Sequence, residues 1–186
     1  MDARQTVSVR TRRLGGLTAV LVAVAVVLVV RAVLAPGASS GVESVGGGQP
    51  VVGQAPPQFS GTALDGSRFD LSAERGRVVV VNFFATWCEN CRAELPLLQR
   101  LYTQRHGAGL DVVTVDFNDS GDARAFLAPY SVGFPALLDA SSSVGHAYQV
   151  GALPVTFFVG RDGRLARVFH GQLSDPTLAD SLAGLV

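Results

Sequence analysis

The chain contains only two cysteines, Cys88 and Cys91, which are separated by two residues. A disulfide that closes so short a loop restricts the unfolded chain little and therefore adds little stability. Its value lies in its chemistry, because one thiolate can attack a disulfide and the second thiol can then release the product. The alternative is a pair of metal ligands, but zinc needs four, and the sequence has no second Cys or His pair. The spacing indicates redox chemistry that needs no cofactor, and we expect no metal site.

The residues around the pair predict which cysteine attacks. Residues 78–84 are apolar and β-branched apart from Asn82, which predicts a strand buried on both faces, and a helical pattern runs from Glu89 to His106. Cys88 thus opens a helix, where free backbone N–H groups and the helix dipole favour a thiolate. We expect Cys88 to be the nucleophile. Cys91, one turn further and more shielded, would resolve the mixed disulfide.

Further elements alternate along the rest of the chain. Strands that alternate with helices and end in a hairpin indicate an α/β fold, with a central mixed sheet and helices on both faces. The elements predicted by turn signals and apolar periodicity are strands 58–64 and 68–71 around Asp65-Gly66, strand 112–117, helix 122–130, strand 134–138, helix 142–150, strands 155–159 and 165–169, and a last helix from Ser174 or Asp175 to near Gly184.

Three segments carry a family resemblance, which covers roughly residues 55–185. Residues 81–96, VNFFATWCENCRAELP, resemble the thioredoxin superfamily, and within it the TlpA/ResA-like membrane-anchored reductases. Residues 151–157, GALPVTF, are similar to the same subfamily, and residues 134–150 resemble its central αβ insertion. The resemblance implies a thioredoxin-like fold over residues 56–186, with an N-terminal β-hairpin and the αβ insertion.

The resemblance also implies roles for residues outside the cysteine pair. Leu153-Pro154 would be a cis-proline loop facing the cysteines, where the Leu153 backbone could pair with a bound peptide; the alternative is an ordinary trans proline. Trp87 would shield the disulfide and contact substrate, or simply pack. Asn90, between the cysteines, belongs to the group expected to bind substrate and tune the couple.

One position departs from plain thioredoxins, which have a buried aspartate six residues before the first cysteine. Asn82 stands there and cannot accept the proton that Cys91 releases, so another base would have to help. The candidates are Glu89, between the cysteines, and Asp119, which is either near the pair or a solvated loop carboxylate. Glu94 also matches the family pattern, but a surface helix residue explains it equally well.

Two other classes share parts of this pattern. Copper-delivery proteins of related fold bind metal with two cysteines and a distant His, but their C-x-x-x-C spacing has one residue more than this chain. A peroxiredoxin would have Thr three residues before its cysteine, where this chain has Ala85. The three histidines each have an ordinary structural explanation, and they are His106, His146 and His170.

The N-terminal part of the chain has a different composition. Residues 14–30 carry no charge and, extended to residue 35, are long enough as a helix to cross about 30 Å of hydrocarbon. Four arginines precede them, which by the positive-inside rule places the N-terminus in the cytoplasm. We expect residues 1–13 to be a cytoplasmic basic segment, 14–35 a transmembrane signal anchor and 36–55 a flexible linker. The alternative is a cleaved signal peptide.

The domain from Pro56 onward is then expected outside the cell membrane. Its 13 acidic residues outnumber its 10 arginines, which does not favour nucleic acid as a partner. A carboxylate at Glu89 disfavours a nearby thiolate, so we expect a reducing couple. By resemblance, the protein would reduce selected extracytoplasmic protein disulfides, apocytochrome c in cytochrome c maturation being one candidate, with electrons from a membrane thiol carrier. The alternative is an oxidase that introduces disulfides into secreted proteins.

Overall fold

The computed structural model describes residues 40–186 and, before them, Val20 and residues 22–26, which are helical. No helix within the described residues is long and apolar enough to cross a membrane. The predicted cytoplasmic segment, 1–13, and most of the predicted anchor, 14–35, lie outside the described residues. Both therefore stay predictions.

Residues 40–186 belong to one compact unit, which contains eight strands and four α-helices. Short 3-10 helices at Leu71–Glu74, His106–Ala108 and Ala128–Tyr130 join some of them. In chain order the elements are Gly41–Gly46 (β1), Gln58–Thr62 (β2), Arg68–Asp70 (β3), Val78–Phe84 (β4), Glu89–Arg105 (α1), Leu110–Phe117 (β5), Ala123–Leu127 (α2), Ala136–Asp139 (β6), Ser143–Ala147 (α3), Val155–Val159 (β7), Leu165–His170 (β8) and Asp175–Leu182 (α4).

The central sheet has five strands in the order β6-β5-β4-β7-β8. β4 and β5 are parallel, as are β5 and β6, whereas β7 is antiparallel to both β4 and β8. A smaller antiparallel sheet contains β1, β2 and β3. This arrangement confirms the predicted α/β class, the mixed central sheet and the hairpin around Asp65-Gly66.

β4 lies at the centre of the sheet and all seven of its residues are buried. Because side chains alternate along a strand, Val78 and Val80 face one core, which α1, α2 and α4 cover. Val79 and Val81 face the other core, which α3 and the three-stranded sheet cover. Helices therefore lie on both faces of the central sheet. The loop after β4 lies at the edge of this sheet, between the two packed layers.

β1 corrects the predicted linker over part of its length. Residues 36–55 were expected to be an unpacked tether, yet the strand Gly41–Gly46 pairs with β2, and Val42 and Val45 pack against the second core. The open edge of β2 supplies the backbone hydrogen-bond partners of β1, and amino-acid composition alone does not indicate that such an edge is present. Gly61 permits the close approach, since a Cβ there would lie 2.3 Å from the Gly41 carbonyl oxygen.

Several predicted element bounds were wrong: helix 142–150 is α-helical only over Ser143–Ala147, and strand 58–64 ends at Thr62. Two prolines explain two further differences. The helix expected over residues 122–130 is α-helical only to Leu127, because Pro129 has no N–H to donate to the preceding turn. The strand expected from Phe134 begins at Ala136, immediately after Pro135. Neither change moves the edge of the sheet that carries the cysteines.

Candidate active site

The cysteines lie in the turn between the end of β4 and the start of α1. The Cys88 N–H donates to the Ala85 carbonyl oxygen at 3.0 Å, which turns the chain into the helix. Cys88 is the N-cap of α1 in an extended conformation, and its sulfur accepts a hydrogen bond from the Cys91 N–H at 3.2 Å. The sulfur therefore lies where the free N–H groups of the first helical turn point. After reduction, that position would stabilise a thiolate.

Cys88 and Cys91 are joined by a disulfide, with their Cα atoms 5.2 Å apart. Cys88 retains 6% of its surface exposed, whereas Cys91 retains 1%. A substrate sulfur can therefore approach Cys88 more easily than Cys91. This difference supports Cys88 as the attacking residue and Cys91 as the resolving residue, roles that stay predictions.

The predicted residues around the pair are mostly exposed. Trp87, the one tryptophan of the chain, is 64% exposed, so core packing does not explain it. Asn90 is also exposed. The Glu89 side chain is 85% exposed, and its Oε2 lies 3.4 Å from Nε of Arg92. Glu89 is therefore a solvated and paired carboxylate, a weak candidate for the base predicted near Cys91.

The Leu153-Pro154 peptide bond is cis, as the resemblance implied. Val155, the next residue, pairs with Phe83 of β4, which places this loop at the same edge of the sheet as the cysteine turn. No hydrogen bond joins the Leu153 backbone to another residue in the described part of the chain. The loop can therefore offer backbone groups to an extended peptide.

Asp119 lies beside the cysteine turn. Its Oδ2 accepts a hydrogen bond from the Thr86 N–H at 2.5 Å, and its Oδ1 accepts one from the Gly121 N–H at 2.9 Å. Burial raises the pKa of Asp119, but the hydrogen bonds, above all those from Thr86, outweigh burial and lower it. Asp119 lies on the half-exposed loop after β5, and these hydrogen bonds hold it to the cysteine turn. Asp119 is ionised and anchors the backbone two residues before Cys88.

Glu94 is the buried carboxyl group nearest in sequence to Cys91, and it is only 1% exposed. It follows Cys91 by three residues on α1, so the two side chains lie on one face of the helix. Its Oε1 accepts from the Asn82 side-chain amide at 2.7 Å, and its Oε2 accepts from the Leu173 N–H at 2.8 Å. Burial raises the pKa of Glu94 to about 7, although both hydrogen bonds act in the opposite direction. The reading of Glu94 as a surface residue is wrong.

Asn82 connects Glu94 to a polar row across the buried sheet. Its side-chain amide also donates to the Thr156 hydroxyl at 3.1 Å, and its Oδ1 accepts from the Thr114 hydroxyl at 3.1 Å. Thr114 and Thr156 are the partners of Asn82 in the two neighbouring strands. Asn82 cannot take up a proton itself, but it orients the carboxyl group that can.

Glu94 and Asp116 were not predicted to be buried, although the sequence contains a signal for both. Glu94 falls on the stripe of α1 formed by Cys91, Leu98 and Leu101, all of which are buried. Asp116 lies within β5, which is buried along its whole length. In both cases the apolar periodicity places a carboxyl group inside the protein.

The histidines do not meet the cysteines. His106 bonds to Asp111 beside Arg77, at the far end of the sheet, and His146 packs against the Phe117 ring. Among residues 40–186 and the few described before them, no group of three or more His, Cys, Asp or Glu side chains could hold a metal ion.

Fold and site together define a thioredoxin-like protein with a redox-active disulfide at a helix N-terminus. A family model described as the AhpC/TSA family matches residues 52–168. The thiol-disulfide oxidoreductase ResA of Bacillus subtilis (strain 168) is 34% identical over 125 residues, which cover 67% of this chain and 70% of that protein. The chain belongs to the AhpC/TSA family and resembles ResA-type thiol-disulfide oxidoreductases within it.

Solved structures agree with this assignment. A Chlorobium tepidum protein described as a thiol:disulfide interchange protein DsbE has a TM-score of 0.66 and 26% identity, covering 73% of this chain and 97% of that one. A secreted Mycobacterium tuberculosis disulfide oxidoreductase, described as homologous to E. coli DsbE, has a TM-score of 0.60 and 26% identity, covering 69% and 96%. The chain is a protein thiol-disulfide oxidoreductase that uses its cysteine pair.

Proposed function

We propose that the chain is a reductase of selected protein disulfides outside the cytoplasm. The observation that carries the proposal is Glu94, a buried carboxyl group one helical turn from Cys91 with a pKa near neutrality. A group with this pKa can take up and return a proton at neutral pH. It therefore supplies the base that Asn82 cannot be.

The reaction begins with the reduced pair. The Cys88 thiolate attacks the substrate disulfide, a Cys88–substrate disulfide forms, and the first substrate sulfur leaves as a thiolate that takes a proton from water. Cys91 then gives its proton to the Glu94 carboxylate and attacks the Cys88 sulfur. The mixed disulfide breaks, the Cys88–Cys91 disulfide forms, and the second substrate sulfur leaves with a proton that Glu94 returns. Two electrons and two protons pass to the substrate.

Two carboxyl groups near the cysteine turn favour the reducing direction. Negative charge near the pair disfavours the Cys88 thiolate, which opposes the helix dipole. A less stabilised thiolate makes the disulfide relatively more stable and the couple more reducing. Glu94 and Asp119 supply this charge from fixed positions, whereas Glu89 is exposed and paired.

A membrane thiol carrier is our proposed electron donor, and apocytochrome c is a candidate substrate. Support for an extracytoplasmic location comes from the arginine-rich start, the uncharged run 14–30 and a structural neighbour described as secreted. Protease added to intact cells or spheroplasts should digest the catalytic domain while a cytoplasmic marker survives. Protection of the domain together with that marker would contradict the proposed topology.

Trapping of the mixed disulfide tests the activity itself. Cys91→Ser removes the resolving thiol, so substrate should stay bound to Cys88 and be released by a reductant. The matched variant Cys88→Ser leaves only the shielded cysteine and should trap nothing. Extracytoplasmic proteins with cysteine pairs, apocytochromes c among them, are the expected adducts. Equal trapping by both variants would contradict the assigned roles.

A further inference from the structure

Asp116 is a buried acid that the reaction above does not use. It is the penultimate residue of β5, where it pairs with Phe84 of β4 and Leu138 of β6. Its side chain retains 6% of its surface, and its Oδ1 has no hydrogen-bond partner among the described residues. A buried, unpartnered carboxylate oxygen is costly, so the group needs a physical explanation.

Asp119 follows Asp116 by three residues, and a side-chain hydrogen bond between the two carboxyl groups is one of the causes that raise the pKa of Asp116. Two carboxyl groups can make such a bond only if one of them carries a proton. Asp119 already accepts the Thr86 and Gly121 N–H groups, which favours its ionised form. The proton therefore lies on Asp116, which donates it to Asp119.

The surroundings of Asp116 are acidic or neutral. Asp139 on β6 adds a further negative charge, and its own oxygens accept from the Gly145 N–H and the Ser143 hydroxyl. β4 contributes only apolar and amide side chains, and His146 of α3 packs on the ring of Phe117. Burial, then the charge of Asp119 and the bond between the two groups, raise the pKa of Asp116 to about 7.

The pair is mechanically connected to the cysteine turn. Asp119 holds the Thr86 N–H, and Thr86 precedes Cys88 by two residues. The contact is tight, because a Cβ on Gly121 would lie 2.0 Å from the Thr86 hydroxyl oxygen. Thr86 thus has little room to move while Asp119 stays in place.

We propose that Asp116 and Asp119 share one proton, and that this proton keeps Asp119 bonded to the Thr86 backbone and so positions the turn that carries Cys88. When the proton passes to water, two carboxylates face each other and repel. Asp119, on the exposed loop, then moves away and releases the Thr86 N–H. The inference rests on disulfide exchange at Cys88 but not on the direction of electron flow.

A pH titration of the oxidised full chain by NMR, in a mild detergent and with labelled Asp carboxyl carbons and backbone amides, tests the shared proton. The Asp116 carboxyl carbon and the Thr86 amide proton should titrate together near neutral pH. Asp116→Asn should abolish the Thr86 transition, and Asp119→Asn should lower the Asp116 midpoint. Glu94→Gln, which removes the other buried acid whose pKa is raised to about 7, should keep the transition. A Thr86 transition that survives Asp116→Asn, or that Glu94→Gln removes, would overturn the proposal.

If the Asp116 variant does not fold, the wild-type titration alone decides, since an Asp116 midpoint below pH 5 is incompatible with a shared proton at neutral pH. A second readout is the rate constant for reduction of the disulfide by dithiothreitol, followed through Trp87 fluorescence. A charge acting over roughly 10 Å through an effective dielectric constant of about 50 changes a rate constant about threefold. The wild-type to Asp116→Asn ratio should fall by that factor across the midpoint. A flat ratio overturns this inference only, whereas a wild type that does not exchange with dithiothreitol overturns the proposed function.

Discussion

Replacement of Glu94 by Gln should change how the stability of the domain depends on pH. Burial raises the pKa of Glu94 from 4.5 to about 7, so between these values the folded protein binds more protons than the unfolded chain. The stability that this proton provides is fully present below about pH 4.5 and is lost as the pH rises through 7. At about 1.4 kcal/mol per pH unit, the wild type should lose about 3 kcal/mol over this range.

The assay is urea unfolding of residues 38–186 in the oxidised state, followed by circular dichroism at several pH values from 4 to 8. The side-chain amide introduced by Glu94→Gln cannot titrate, so the difference between wild-type and variant unfolding free energies should fall by about 3 kcal/mol as the pH rises. Loss of the acceptor for the Leu173 N–H adds a penalty of about 1–3 kcal/mol, which does not depend on pH. Asp116 titrates in the same window but is present in both proteins. Parallel curves for the two proteins would refute the placement of a neutral-range carboxyl group at Glu94.

Three further substitutions test parts of the site. Trp87→Ala should change the unfolding free energy by less than about 0.5 kcal/mol, because the residue is 64% exposed. It should nevertheless slow disulfide exchange with protein substrates more than exchange with glutathione. Equal slowing of both reactions would argue against contact between Trp87 and the substrate. Glu89→Gln should raise the reduction potential of the couple by no more than about 10 mV, because Glu89 is an exposed carboxylate paired with Arg92. A larger shift, measured in glutathione buffers, would show that Glu89 tunes the couple. Gly121→Ala should destabilise the domain by about 1–3 kcal/mol in urea unfolding, because the added Cβ would overlap with Thr86. Gly107→Ala is the matched control, since a Cβ there would have no atom within 4 Å. Equal small effects of the two substitutions would show that the loop at Gly121 can move to accommodate the methyl group.

The elements around the cysteines could be predicted because their signals are local. A run that is apolar apart from Asn82 predicted β4 at its observed bounds, and the helix after Cys88 begins at Glu89 as expected. The cis bond at Leu153-Pro154 came from the family resemblance and not from the residues themselves. Local pattern and resemblance thus sufficed for the fold and for the cysteine pair.

The environment of the acids required the tertiary structure. Glu89 and Glu94 lie five residues apart, yet one side chain is 85% exposed and the other residue 1% exposed, because they lie on different faces of α1. The hydrogen bond from Asn82 to Glu94 joins β4 to α1, and the bond from the Thr86 N–H to Asp119 joins the loop after β4 to the loop after β5. β1 was missed for a similar reason, since its stability comes from the edge of β2 and not from its own sequence.

The reduction potential of the Cys88–Cys91 couple tests the proposed direction of electron flow most directly. Residues 38–186 would be equilibrated with glutathione buffers of defined ratio at pH 7, and the dithiol and disulfide forms would be quantified after thiol alkylation. We expect a potential near the roughly −270 mV of thioredoxin, because the carboxyl groups of Glu94 and Asp119 oppose the thiolate at Cys88. A potential above about −150 mV, towards the roughly −120 mV of a strong oxidant, would contradict it and assign the protein to disulfide formation.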